Sequence, residues 1–323
     1  MKKITVSELI RDKGEELGIE ILAGTRGTKR IITEPHITRP SLFLAGYEKD
    51  LPEKRIQLLG RREIGFLQEI GEKRRERLDS LTTRKIPCII ISCGLSPPPE
   101  LVEFCTQRNV PLLRSSLPTA DVVRGLFFYL EDKLAPEVIV HGTLVDVYGI
   151  GILFTGESGI GKSETALDLV ARGHRLVADD TVRIKRKGSI LIGEGTAKSE
   201  LLRHHMEIRG IGIVDIASMY GIKAIRLHKR VEVEVKLIRW DPQKDYTRTG
   251  LETEHTNILG IEIPYVEIPL VPGKNIAVLV EVVALNHMLK LLGYDAARVF
   301  EHELIRVMRE EAKRYAKLEE DTE

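Results

Sequence analysis

The chain has 323 residues, long enough for about two domains with ample cores. Its 42% hydrophobic and 30% charged residues describe an ordinary globular protein, and a formal charge of +1 excludes a general attraction to nucleic acid or anionic membrane. The opening MKKITVSELIRDKG has no apolar run behind its lysines, so no secretory signal is read, and no window approaches the roughly 18 uninterrupted apolar residues of a membrane helix. Cys88, Cys93 and Cys105 cannot pair completely and lack zinc spacing, so they read as buried thiols in a reducing, cytoplasmic compartment.

In chain order, ITVSELIRDKGEELG predicts a helix with Ser7 as N-cap and Gly18 at its end. The β-branched run IPCIIIS, Ile86 to Ser92, predicts a buried strand. Pro99 suits the first position of a helix over ELVEFCTQR. VPLLRSS predicts the next strand, and TADVVRGLFFYLEDKLA a helix behind a Thr cap. Residues 1–132 thus read as a small α/β domain, with Pro136 marking the break to a second domain over 133–323.

Beyond Pro136, VIVHGTLVDVYGIGILFTG predicts successive strands, followed by a glycine-rich loop, a helix from about Ser163 and the strand HRLVA. Further strands are predicted at Ser189 to Ile192, Val231 to Arg239 and Ile276 to Val280. A helical pattern runs from Val282 to about Leu318, interrupted near Gly293. The basic runs KRRER (73–77) and RIKRK (183–187) sit among acids without interleaved aromatics, so they read as solvated faces rather than a nucleic-acid surface.

The loop Gly156, Glu157, Ser158, Gly159, Ile160, Gly161, Lys162, Ser163 fits G-x-x-x-x-G-K-[ST] between a predicted strand and a predicted helix. Its glycines let successive amides converge on phosphates, the helix N-terminus favours negative charge, Lys162 suits the terminal phosphates and the Ser163 hydroxyl suits Mg²⁺. Asp179 and Asp180 end the strand HRLVA; one can support a metal while the other accepts a proton, or both can simply initiate a turn. His141 can bind phosphate or tune a carboxylate, or be an ordinary turn histidine. In MEIRGIGIVD, Glu207 can complete a metal shell or belong to a tight β-turn, and Arg248 can clamp phosphate or be merely solvated. Phosphoryl transfer to a protein hydroxyl, a small-molecule kinase or NTPase, and a nucleotide-sensing regulator all remain open on these residues.

The stretches VIVHGTLVDVYG, GESGIGKSETALDLVARGHRLVADD, MEIRGIGIVDI and PLVPGKN, with ITEPHITRPSLFLAGY and RNVPLLRSS earlier, resemble the HPr kinase/phosphorylase family over nearly the whole chain. The resemblance implies phosphorylation of a serine on the phosphocarrier protein HPr, and its reversal by phosphorolysis, in carbon catabolite repression. It also implies ATP or pyrophosphate as donor, Mg²⁺, a homohexamer, and phosphate and fructose bisphosphate as effectors. The implied fold is α/β, with a carboxy-terminal P-loop kinase domain related to phosphoenolpyruvate carboxykinases. By the same resemblance, His141, Lys162, Asp180 and Arg248 are catalytic, Gly156 to Ser163 bind nucleotide, and Ser163 and Glu207 ligate metal. The segment Met206 to Asp215 serves both directions and Pro269 to Lys274 the dephosphorylation. In that last motif the family carries arginines where this chain has Val271 and Lys274. Lysine keeps the charge without bidentate geometry and valine keeps neither, which leaves the strength of the reverse reaction open.

Overall fold

The computed structural model describes residues 2–49, 51–196, 204–243 and 254–320, with side chains through residue 312. The chain divides into two compact units, Met1–Pro136 and Glu137–Glu323, both α/β.

The first unit is built on a five-stranded sheet in the order Ile19–Ala23, Leu112–Ser115, Ile89–Ile91, Ile56–Leu59, Ile37–Thr38. The last four strands run parallel and the first is antiparallel. Parallel strands are covered on both faces, which explains why their sequences are nearly continuous apolar runs. Leu59, Ile89, Ile91 and Leu112 enter one core, while Ile56, Leu58, Ile90 and Leu113 enter the other. Cys88 and Cys105 are buried and burial pushes both thiols up to about 12, so they are unreactive packing residues; Cys93 is half-buried.

Two helix starts differ from the sequence reading. The first helix spans Val6–Lys13 and is capped by Thr5 rather than Ser7. Thr5 Oγ1 accepts from Glu8 N at 3.2 Å while Glu8 Oε2 accepts from Thr5 N at 2.7 Å, a reciprocal pair that Ser7 has no acid to match. The helix also stops at Gly14, because Ile19 must already begin the edge strand. In the helix Thr119–Leu134 the threonine is the first helical residue and the cap position belongs to Pro118; Thr119 Oγ1 instead meets Ser92 Oγ at 2.7 Å. The KRRER run lies on the helix Lys73–Thr83, where Arg74, Arg75 and Arg77 pair with Glu100, Glu103 and Glu48.

The second unit stacks helices, a six-stranded sheet and a four-stranded sheet. The larger sheet has the order Arg175–Ala178, Thr143–Val147, Ile150–Thr155, Val233–Arg239, Ile261–Leu270, Glu254–Ile258. The smaller has the order His228–Arg230, Ile190–Gly195, Thr181–Lys187, Glu137–His141. Strand alternation divides the core: Val145, Ile152 and Phe154 pack with Ala166, Leu169, Val280 and Ala284 of the helices Lys162–Ala171 and Ile276–Leu291. Leu144 and Leu153 point the other way, against Val182, Ile184 and Leu191 of the smaller sheet.

The run Ile276 to Val280, predicted as a strand, is the first part of a helix. Five apolar residues have too little length to distinguish the two periods, and the decisive signal is the cap, where Asn275 Oδ1 accepts from Val278 N at 3.2 Å. Gly293, at φ +87°, breaks this helix from the next, Ala296–Glu320. Among the described residues no single helix is long and apolar enough to cross a membrane.

Glu281 on the helix Ile276–Leu291 accepts from Arg172 Nε at 2.9 Å and Nη2 at 2.6 Å, and contacts His174 Nε2 at 3.0 Å. The Arg172 guanidinium holds this carboxyl at about 2, against the opposing effect of burial and with help from His174. A lowered value stabilises the fold in full above the ordinary 4.5, and that stabilisation is lost as pH falls towards about 2. Glu281→Gln is expected to lower the unfolding free energy near neutrality by about 1–3 kcal/mol. It should also flatten the acid dependence in that window; urea unfolding at stepped pH measures both, and an unchanged acid limb would reject the assignment.

Candidate functional site

Strand direction gathers the candidate residues on one edge of the six-stranded sheet. Ile150–Thr155, Val233–Arg239 and Ile261–Leu270 are mutually parallel, so the loops after them leave from the same edge. Thr143–Val147 runs antiparallel to Ile150–Thr155 and to Arg175–Ala178. Its beginning, at Thr143, therefore lies beside the end of Arg175–Ala178, where Asp179 and Asp180 follow. Ligands of open α/β sheets bind at such carboxyl edges.

The loop Gly156–Gly161 connects the strand Ile150–Thr155 to the helix Lys162–Ala171. A Cβ on Gly156 would lie 2.5 Å from the Leu237 carbonyl oxygen, and φ is +133°, so only glycine lets the chain turn this close to the neighbouring strand. At the apex, a Cβ on Gly159 would lie 2.1 Å from Nη2 of Arg209. The arginine thus rests directly on the loop. Gly161 occupies the N-cap without a side-chain hydrogen bond, leaving the first amides of a ten-residue helix to an anion. Lys162 Nζ donates to Gly156 O at 3.1 Å and Glu157 O at 2.9 Å, which holds its ammonium over the loop.

The two adjacent acids have different surroundings. Asp179 Oδ1 accepts from Thr143 Oγ1 at 2.6 Å and from Ser163 Oγ at 3.0 Å. Burial pushes its carboxyl up, and those two hydroxyls pull against that rise. Asp180 is exposed and left-handed at φ +63°, a conformation that aspartate tolerates better than most residues. Its carbonyl accepts from Gly142 N at 3.0 Å, and the next residue, Thr181, pairs with His141 across the smaller sheet. Lys162, Ser163, Asp179, Asp180 and His141 are therefore brought to one edge.

Glu207 is placed differently. It lies on the hairpin His205–Ile208/Gly212–Asp215, exposed on the face away from Met206 and Ile208, which anchor the hairpin in the helical core. No group of three or more His, Cys, Asp or Glu side chains able to hold a metal ion forms among the described residues. Arg248 lies outside the described residues. Two features escaped the sequence reading. Thr143 is hidden in a β-branched run that signals only a strand, and the contact of Arg209 with Gly159 joins residues too far apart for any local spacing to reveal.

Thr143→Val removes a donor that favours the charged carboxylate, so the Asp179 midpoint is expected to rise further. A ¹³C carboxyl titration reads this directly; an unmoved midpoint would show that Thr143 does not hold the acid.

Comparison with known proteins follows the same two-part organisation. The family model described as HPr Serine kinase N terminus matches residues 4–130, and that described as HPr Serine kinase C-terminal domain matches 132–304. A Chloroherpeton thalassium protein named HPr kinase/phosphorylase is 47% identical over 307 residues, covering 94% of this chain and 89% of its own. One of the same name from Geobacillus kaustophilus is 46% identical over 302 residues, covering 93% and 95%. The solved Hpr(Ser) kinase/phosphatase from Coxiella burnetii is 33% identical, covers 50% of this chain and 98% of its own, and has a TM-score of 0.44. With both halves matched in order and full-length relatives aligned along more than nine-tenths of the chain, it belongs to the HPr serine kinase family.

Proposed function

We propose that the chain is a bifunctional enzyme that phosphorylates a serine of the phosphocarrier protein HPr and reverses the reaction by phosphorolysis. The observation that carries this reading is the division of labour between adjacent acids: Asp179 is committed to Ser163 and Thr143, while Asp180 stands exposed beside them. A hydrolase switch needs the first acid; transfer to a hydroxyl also needs the second as proton acceptor.

In the forward direction, ATP or pyrophosphate lies with its phosphates against Gly156–Ser163 and the helix N-terminus. Lys162 turns from its two carbonyls to the transferring group and offsets the charge that develops there. Asp180 takes the serine proton as the serine oxygen bonds to phosphorus and the bridging P–O bond breaks. In reverse, protonated Asp180 gives its proton to the leaving serine oxygen while inorganic phosphate attacks, forming pyrophosphate. His141 acts at the phosphate from the strand paired with Thr181, and Arg248 clamps phosphate. The Ser163 hydroxyl and the Asp179 carboxylate are hard oxygen donors of the kind Mg²⁺ takes and would hold it, with Glu207 as the further ligand implied by the family. A bound Mg²⁺ supplies charge neutralisation to the phosphates.

Family membership supports the remaining parts of the reading: a homohexamer in the cytoplasm, control by phosphate and fructose bisphosphate, and a part in carbon catabolite repression. In it, residues 133–323 are the catalytic domain, with a P-loop kinase fold related to phosphoenolpyruvate carboxykinases, and residues 1–132 serve assembly or regulation.

Asp180→Asn is expected to reduce both transfers by about 10²–10⁴-fold while sparing nucleotide binding. Labelled ATP with HPr, and phosphorylated HPr with phosphate, measure the two directions; near-normal phosphoserine formation would sink the role. The turn after Ile261–Leu270 carries Val271 and an exposed Lys274, whose amide donates to the Val271 carbonyl at 3.1 Å. Lys274→Arg restores a bidentate fork and is expected to raise phosphorolysis several-fold relative to kinase activity. An unchanged ratio in the paired assays would remove this residue from the reverse reaction.

A further inference from the structure

The surface of the first unit carries an open pocket of about 700 Å³ that the reaction above does not use. Three separated stretches line it: Lys29 to Ile31, Thr82 to Pro87, and Arg108. Five of its ten lining side chains are cationic, namely Lys29, Arg30, Arg84, Lys85 and Arg108. The whole chain balances 49 basic residues against 48 acidic ones, so this concentration is local.

Few carboxylates answer it. Asp79 binds Arg108 at 2.5 Å, and Glu53 stands 3.7 Å from Arg84. Among the described residues Lys29 and Lys85, both exposed, make no ion pair. Arg30 donates to the carbonyls of Ile86 at 2.7 Å and Arg108 at 3.1 Å, which fixes its guanidinium without neutralising it. Arg108 is fixed too, by the Asp79 carbonyl at 3.1 Å and Thr82 Oγ1, though its charge is answered by the Asp79 carboxylate.

A merely solvated basic face spreads mobile charges over a convex surface. Here fixed guanidinium groups and free ammonium groups converge on a concavity floored by buried Ile86. Like charges gathered in this way repel one another, and an anion relieves the repulsion. We propose that this cavity binds a small anion carrying two or more phosphate groups. Guanidinium forks match phosphate oxygens, and the volume lies in the ordinary range of about 300–1,000 Å³ for small-molecule sites, well beyond a single phosphate ion. A nucleic acid fits less well. It needs a basic track leading away from the cavity, whereas the adjoining arginines of the helix Lys73–Thr83 are paired with Glu48, Glu100 and Glu103.

Hydrogen exchange on the full chain, with inorganic pyrophosphate and separately with ADP, tests this. Peptides covering 29–31 and 82–87 report the cavity, while peptides covering 156–163 report the glycine loop in the same sample. Slower exchange at the cavity is expected with at least one ligand. Lys29→Glu with Lys85→Glu should raise the half-saturating concentration about tenfold or more there and leave the loop peptides unchanged. Protection by pyrophosphate alone assigns an inorganic source, and protection by ADP a nucleotide source; both support the site. No protection by either, protection that survives charge reversal, or protection only by a single-stranded oligonucleotide overturns it. If the reversed variant fails to fold, Lys29→Gln with Lys85→Gln carries the same outcomes.

Discussion

A carboxylate taken out of water must be satisfied by its neighbours, and Asp179 meets that requirement by joining three elements. It follows the end of one strand, accepts from Thr143 at the start of the neighbouring strand in the sheet, and accepts from Ser163 in the first turn of the helix that follows the glycine loop. Any displacement of the helix start would strand a partly buried acid, at a cost of about 1–3 kcal/mol. The loop inherits its shape from that restraint. So does Asp180, because once its predecessor turns inward, the left-handed backbone at φ +63° sends the next carboxylate outward.

The other end of the same helix is held in a parallel way. Glu281 reaches it through Arg172 and His174, which lie just beyond the last turn. An acid near a helix C-terminus is unfavourable by itself, and the two intervening donors reverse that. Between these ends Ala166 and Leu169 pack against Val145, Ile152 and Phe154. The helix is thus fixed by one acid at each end and by apolar packing between them, a suitable mount for a site whose amides must not wander.

Much of this was legible in the chain. Glycine punctuation and β-branched runs located the strands from Glu137 to Thr155, and the loop motif marked the turn between the strand Ile150–Thr155 and the helix Lys162–Ala171. What failed was local. Ser7 and Thr5 are both plausible caps until Glu8 is counted from Thr5, and IAVLV has no period long enough to separate helix from strand. The site was legible in type but not in assignment. Composition shows two acids after HRLVA, yet only the registers of three strands and a helix determine which one meets Ser163. Nor does any spacing foretell that Arg209 lies over Gly159, because their meeting depends on how the hairpin docks through Met206 and Ile208.

If the loop binds phosphates as proposed, the resting place of Lys162 bears on which ligands it admits. Its ammonium already makes two hydrogen bonds, to the carbonyls of Gly156 and Glu157, at 3.1 and 2.9 Å. An incoming group must outcompete them. A neutral acceptor offers only an exchange of equals, whereas a polyphosphate terminus offers charge-assisted bonds roughly twice as strong as neutral ones. Under the proposed function the lysine is then a threshold as well as an anchor: only a dense negative charge would draw it from its two carbonyls.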